Sequence, residues 1–357
     1  MTLDEFYARF SSDCTAGSAN QTLTRYPEAG IHTGRIAYRL TRGGENYALL
    51  FSNTTDGTFA DGSVTVANDV GGDWDVLSLR VGLAFAWDAE PTTWHTVTFD
   101  GSATYAVRGG GAFCTDPIPL GARAGEYLIY EMTLFGADFP FHKEIRLNVR
   151  LRGADGNWTV DPRFPAPLMI GCDRPAVCRV GFLGDSITQG CGTPCESYAH
   201  WVAGITAGLD PRFSVWDLGI GYARAYDAAT DRGWLARAKR CDVVNVCFGV
   251  NDLNRGRNAE QVVTALSAAV ASLRAAGCRV ILFTVPPYGY TGEKREMWNT
   301  VNDAIRRGLG QDDTFDMAAV LGLPAPDENQ PRWGGHPNVE GCAAVARAYL
   351  DAGLLRI

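Results

Sequence analysis

The pattern of the chain changes near residue 161, and that change limits the folds open to it. From about residue 30 to 165, short runs rich in β-branched and aromatic residues follow one another without a helical period between them. They are Arg35–Leu40, Tyr47–Phe51, Ser63–Ala67, Val76–Phe85, Trp94–Phe99, Thr104–Val107, Glu126–Leu134 and Glu144–Leu151. Turn-forming clusters such as Asn53-Thr54-Thr55-Asp56-Gly57 and Gly109-Gly110-Gly111 separate them. Strands at this spacing bury one face each by packing sheet on sheet, which predicts a β-sandwich (jelly-roll-like). Residues 2–10 are expected to form one short leading helix. Asp161-Pro162-Arg163-Phe164-Pro165-Ala166-Pro167 punctuates the join, so a β-sandwich domain is expected over 1–170 and a second domain over 171–357.

After the join, strands alternate with helices. Val177–Leu183, Ser214–Leu218, Asp242–Phe248 and Arg279–Val285 read as strands. Helices are expected near Ser197–Ala207, Tyr226–Lys239, Ala259–Ala276, Lys294–Leu309 and Val339–Leu350, the last capped by Asn338. Such alternation predicts an α/β fold, a parallel sheet with helices on both faces. Functional sites in such sheets open at the carboxyl ends of the strands.

Composition narrows the classes. At 46% hydrophobic and 20% charged, the 357 residues are ordinary globular material. A net charge of −8 without any Lys/Arg cluster argues against a nucleic-acid or anionic-membrane surface. No run of apolar residues is long enough to predict a membrane span. The start, Met1 to Phe10, is acidic early and has no apolar core, unlike a secretory signal. A cytoplasmic protein with reduced thiols is therefore expected. The tightest cysteine spacings, Cys191 with Cys195 and Cys172 with Cys178, have no second couple and no neighbouring His, so no metal centre is expected.

Four segments of the second half carry chemistry. The first strand runs into Gly184-Asp185-Ser186, a turn that stands a hydroxyl clear of the sheet on a rigid backbone. The second strand leaves through Asp217-Leu218-Gly219-Ile220-Gly221-Tyr222-Ala223-Arg224, where the glycines let the backbone turn tightly and bare an N–H. The third ends in Gly249-Val250-Asn251-Asp252, and an Asn amide at a strand's end can donate to a developing oxyanion. Finally, Trp333-Gly334-Gly335-His336-Pro337-Asn338 places a His just before the last helix. Together they predict a hydrolase: Ser186 attacks a carbonyl, and His336 takes its proton and returns it to the leaving alcohol. Backbone N–H groups and the Asn251 amide hold the oxyanion.

In these blocks the chain resembles the SGNH/GDSL hydrolases over roughly residues 174–357. Gly-Asp-Ser at 184–186, Gly-Val-Asn-Asp at 249–252 and His336-Pro337 fall in that family's order. The resemblance implies a flavodoxin-like α/β/α sandwich, no metal and no cofactor, and ester hydrolysis through an acyl-enzyme. It implies Ser186 as nucleophile, His336 as base, and the Ser186 N–H and Asn251 amide as oxyanion donors. Two departures stand out. In the second block Tyr222, with Gly221 beside it, occupies the place of the family's Gly; a backbone N–H serves equally from Tyr. The family also sets an Asp three residues before the His, where this chain has Trp333. Trp offers no acceptor, so His336 Nδ1 must bond a backbone carbonyl, Asp327 or Glu328, as in a Ser–His dyad. The carbohydrate esterases of the second family are also similar, with a β-rich domain before an SGNH domain.

Asp185 and Asp252 are expected to brace their turns. Arg224 is a candidate for holding a substrate hydroxyl or carboxylate, or for a surface ion pair. Trp333 is a candidate aromatic wall for a sugar ring, or core. His142, in an expected turn between two strands of the first domain, is a candidate to reach over the site. The expected activity is that of a carboxylic ester hydrolase removing a short acyl group, acetyl above all, from a small-molecule or oligosaccharide ester. An inert carbohydrate-binding protein on the same scaffold and a lipase or lysophospholipase are the alternatives.

Overall fold

In the computed structural model, which describes residues 1–60, 63–230, 233–322 and 333–355, the chain divides into two units, Met1–Ala176 and Val177–Ile357. The first unit holds two larger antiparallel sheets. Seven strands form one of them. Its central path runs Trp158–Val160, Arg150–Arg152, Gly30–Arg39, Tyr127–Gly136, Trp74–Ala84 and His95–Thr96, with Tyr105–Val107 also on Trp74–Ala84. The other orders Ser11–Ser12, Met169–Cys172, Gly43–Ser52 and Ala112–Cys114, with Ile118–Arg123 also paired to Gly43–Ser52.

Period-two alternation builds the core between the sheets. Ile36 and Tyr38 lie in register with Tyr130 and Leu128, and these with Val81 and Leu83; Ile36, Tyr38, Leu128, Tyr130 and Val81 are buried. The Tyr130 ring meets Phe51 of the other sheet edge-on, centroids 6.3 Å apart. The region is a β-sandwich of this two-sheet kind. The expected strand Glu144–Leu151 is not one: turns and bends run to Val149, and only Arg150–Arg152 pairs. Ile145, Leu147 and Val149 are each buried, so the alternation is real. It anchors a bent segment rather than a ladder. The strand expected over Trp94–Phe99 shrinks to His95–Thr96. Met169–Cys172 pairs with Gly43–Ser52, so residues 169–172 complete the first unit's sheet and the expected join at 170/171 falls inside that strand.

The second unit is a five-stranded parallel sheet. Its strands are β1 (Cys178–Gly184), β2 (Phe213–Gly219), β3 (Val243–Cys247), β4 (Arg279–Phe283) and β5 (Asp313–Phe315), in spatial order β2-β1-β3-β4-β5. This is the flavodoxin-like order. β2 and β3 are buried along their whole length, which is why they read as mainly apolar runs, with Ser214, Asp217 and Asn245 as their polar members. The helices are α1 (Ser186–Gln189), α2 (Trp201–Gly208), α3 (Ala225–Ala228), α4 (Gly233–Ala238), α5 (Val250–Asn254), α6 (Ala259–Ala275), α7 (Gly292–Arg307), α8 (Met317–Leu321) and α9 (Val339–Ala352). The Asn338 side chain caps α9 by accepting the Gly341 N–H at 2.9 Å. The single helix expected over Tyr226–Lys239 is two: α3 stops at Ala228, where the Thr230 N–H turns back to Asp227 O. Strand order reverses about β1, which has β2 on one side and β3 on the other. The crevice such sheets use for ligands therefore opens after β1 and β3, where Ser186 and Asn251 stand.

Candidate active site

β1 ends at Gly184, and Asp185 caps the short α1 by accepting the Ile187 N–H at 2.9 Å. Ser186 is the first residue of that helix. Two glycines make room for it. A Cβ on Gly184 would sit 1.9 Å from Thr188 Oγ1, and one on Gly219 would sit 2.2 Å from the Gln189 N. Ser186 Oγ lies 2.8 Å from His336 Nε2, across a sequence separation of 150. Both residues are half-buried, so the pair is open to a ligand.

The loop bearing His336 is closed by the Asn338 N–H, which donates to Trp333 O at 3.0 Å. Tyr288 presents its ring at right angles to the imidazole, centroids 5.9 Å apart, and its Cε2 would lie 2.8 Å from a Cβ on Gly335. On the nucleophile's side, Gly192 has φ 101°, and a Cβ there would lie 2.7 Å from Pro337 O and 2.8 Å from His336 O. Only glycine allows the loop after α1 to approach the histidine loop so closely. Trp333 packs on the first turn of α9, where a Cβ on Gly341 would meet its Cβ at 2.8 Å. Asp327 and Glu328, expected as possible partners of His336, lie outside the described residues.

The second block turns at residues 220–223. The Ile220 N–H donates to Gly184 O at 2.9 Å, and the Ala223 N–H donates back to Ile220 O at 3.2 Å. Tyr222 adopts φ 63°, the third position of a tight turn that ordinarily selects glycine. Strain of this kind, of order 1–3 kcal/mol, concentrates at functional sites. Gly221, just before it, is buried. Asn251 follows Gly249, whose φ is 122°. Its Nδ2 donates to Ala223 O at 3.0 Å and, over a longer 3.4 Å, to Asp185 Oδ2. The amide therefore ties the Gly184–Ser186 turn to the second block, and both of its hydrogens have protein acceptors. Asp252 holds the Ala225 N–H at 2.8 Å and the Tyr226 N–H at 3.4 Å. Burial pushes the Asp185 carboxyl up to about 7 and that of Asp252 up to about 6, each held back by the N–H groups it accepts.

The weaker candidates resolve differently. Arg224 forms an ion pair with Asp227 at 2.8 Å, through both Nε and Nη2. His142 is not in a turn: it ends the short strand Pro140–His142, is buried, and has its Nε2 3.0 Å from Gln21 Nε2 within the first unit. Sequence reasoning missed Gly192, Tyr288 and a second histidine. His200, buried, has its Nε2 3.5 Å from the buried Asp217 Oδ2, and Asp217 also accepts the Gly219 N–H. The His200 Cβ would crowd a Cβ on Gly190, the left-handed C-cap of α1, at 2.7 Å. The pair thus braces the rear of α1. No motif marks it, because its two members belong to different elements.

The chain was compared with known proteins. No curated protein matches it. It is similar to the solved structure of a variant of Axe2, an acetyl-xylooligosaccharide esterase from Geobacillus Stearmophilus, at 22% identity over 51% of this chain and 97% of that one, TM-score 0.41. It is similar to Est24, a carbohydrate acetylesterase from Sinorhizobium meliloti, at 16% identity over 50% and 99%, TM-score 0.39. It is also similar to LAE5, an alpha/beta hydrolase enzyme from the metagenome of Lake Arreo, Spain, at 23% identity over 50% and 96%, TM-score 0.41. Residues 182–344 match the family model itself. That span of the second unit, which holds Ser186, Asn251 and His336, matches the GDSL-like lipase/acylhydrolase family.

Proposed function

We propose that the second unit is a serine esterase that removes short acyl groups, acetyl above all, from a carbohydrate. One observation carries this reading: Ser186 Oγ and His336 Nε2 stand 2.8 Å apart at the carboxyl edge of a parallel sheet. That is a nucleophile within reach of its base. As Ser186 Oγ attacks the acyl carbon, its proton passes to His336 Nε2. The charge that develops on the carbonyl oxygen meets the Ser186 N–H, the backbone N–H groups at Gly221 and Tyr222, and the Asn251 amide. The amide hydrogen for this task is the one on the longer 3.4 Å contact to Asp185, the cheaper of its two bonds to exchange. His336 then gives its proton to the departing alkoxide. A water attacks the acyl-enzyme with the same histidine as base, and Ser186 is regenerated.

The glycosyl part of the proposal rests on architecture: a strand-rich unit precedes the α/β unit, as in the carbohydrate esterases of the second family. Arg224 is engaged with Asp227 and is not offered as a substrate ligand. The substitution Ser186→Ala is expected to abolish hydrolysis of p-nitrophenyl acetate, and full activity in that variant sinks the mechanism. Release of acetate from acetylated oligosaccharides, with long-chain esters untouched, is the expected substrate profile. Asp327→Asn and Glu328→Gln are each expected to cost far less than His336→Ala; a matching loss in either identifies a third member of the machinery.

A further inference from the structure

A cleft of about 580 Å³ opens on the second unit beside α3 and the first half of α6, within the size range of small-ligand sites. Tyr226, Thr230, Arg257, Asn258, Gln261 and Thr264 line it over a floor of alanines. Both walls hang from one residue of the catalytic edge. The Asp252 carboxylate holds the Ala225 and Tyr226 N–H groups, and the Asp252 carbonyl accepts the Arg257 N–H at 3.0 Å. Asp252 is the neighbour of Asn251.

Two guanidinium groups flank the Tyr226 ring, and they are in opposite states. Arg224 lies 5.7 Å from the ring centroid, and both of its bridging nitrogens are taken up by Asp227. Arg257 lies over the ring at 4.0 Å, which fixes its plane by cation–π attraction. Arg257 is half-buried, yet among the described residues its guanidinium donors meet no carboxylate and no other acceptor. A fixed fork of donors facing a cavity is suited to bidentate binding of a carboxylate. The amide NH2 groups of Asn258 and Gln261, whose oxygens cap α6, and the Thr264 hydroxyl supply groups for a ligand's hydroxyls. Glu260 also lines the cleft. Its like charge repels a densely anionic ligand more than one bearing a single carboxylate.

We propose that this cleft binds a polyhydroxy ligand carrying one carboxylate, an acidic sugar, with Arg257 as the carboxylate anchor. The claim concerns binding and stands whether or not the second unit is an esterase. Titration calorimetry on the full chain tests it with D-glucuronate as probe, against glucose and inorganic phosphate. Glucuronate is expected to bind at least tenfold more tightly than either. Arg257→Met is expected to weaken it at least tenfold, the backbone bond to Asp252 being retained. Thr264→Trp, placed at an exposed position of α6 to fill the cleft, is expected to do the same; parallel thermal unfolding confirms that both variants fold. Equal binding of glucose or phosphate, no binding of glucuronate, or undiminished binding in both variants overturns the proposal. Two sources share this chemistry, an acidic residue of the substrate and a free acid acting on the enzyme. Competitive inhibition of p-nitrophenyl acetate hydrolysis by glucuronate supports the first, and a mixed pattern supports the second. A chain that binds glucuronate but hydrolyses no ester sinks the esterase reading alone.

Discussion

Each unit buries aspartates, and Asp13 of the first and Asp185 of the second are treated differently. Asp13 accepts from the Thr41 N–H and hydroxyl, the Arg42 and Gly43 N–H groups, and the Tyr47 hydroxyl. Every lone pair has a donor, and the turn from Leu40 to Gly43 is locked onto the segment beside it. Asp185 has the Ile187 N–H and a long contact to the Asn251 amide. Burial raises the carboxyl of both, but in the proposed mechanism Asp185 shares its Asn251 partner with the reacting carbonyl. A saturated buried carboxylate fixes shape; a sparsely satisfied one beside a nucleophile leaves an amide available for exchange.

This contrast breaks if site lesions unfold the protein or shape lesions silence it. The largest expected effect is that of His336→Ala, a loss of at least about 10⁴-fold in kcat/KM for p-nitrophenyl acetate, with the unfolding transition retained. Asn251→Ala is expected to lower kcat by about 10²–10³-fold with little change in KM; an unaltered kcat removes the amide from the oxyanion hole. Asp13→Ala runs the other way. Five orphaned donors are expected to cost about 3–5 kcal/mol in denaturant unfolding, while kcat/KM per folded molecule stays as it was. Gly192→Ala, which pushes on the histidine loop, is expected to cost roughly tenfold in kcat, since small misplacements of a base are felt strongly. The smallest effect is on pH-dependent stability. A carboxyl raised from 3.8 to about 7 on folding favours the folded state fully below pH ~4, and that support is lost as pH rises through about 7. The thermal midpoint is therefore expected to fall across that window, and the fall is expected to flatten in Asp185→Asn.

The elements of the second unit were legible because parallel strands are buried on both faces and read as apolar runs between helical periods, as in Asp242–Phe248. β5, with three residues, is too short to show a period, and α1 and α5 are single turns hidden inside the motifs they carry. In the first unit, β-branched and aromatic content revealed Glu126–Leu134 but misread Glu144–Leu151, where buried alternate residues pin a bent chain. Ser186 and Asn251 were legible as residue types at turns following strands, and His336 as one just before the last helix. Tyr288 was not, since an aromatic after two prolines signals only a turn. Gly192 and the His200–Asp217 pair were not legible either, because each is defined by what another element brings to it.

The 150-residue separation of Ser186 and His336 has a kinetic consequence. A loop that long closes only after the strands between its ends have assembled, the slow part of folding for a parallel sheet. In the proposed mechanism, Ser186 lacks its base until α9 docks. On that mechanism, the appearance of esterase activity during refolding is expected to mark the final step of assembly.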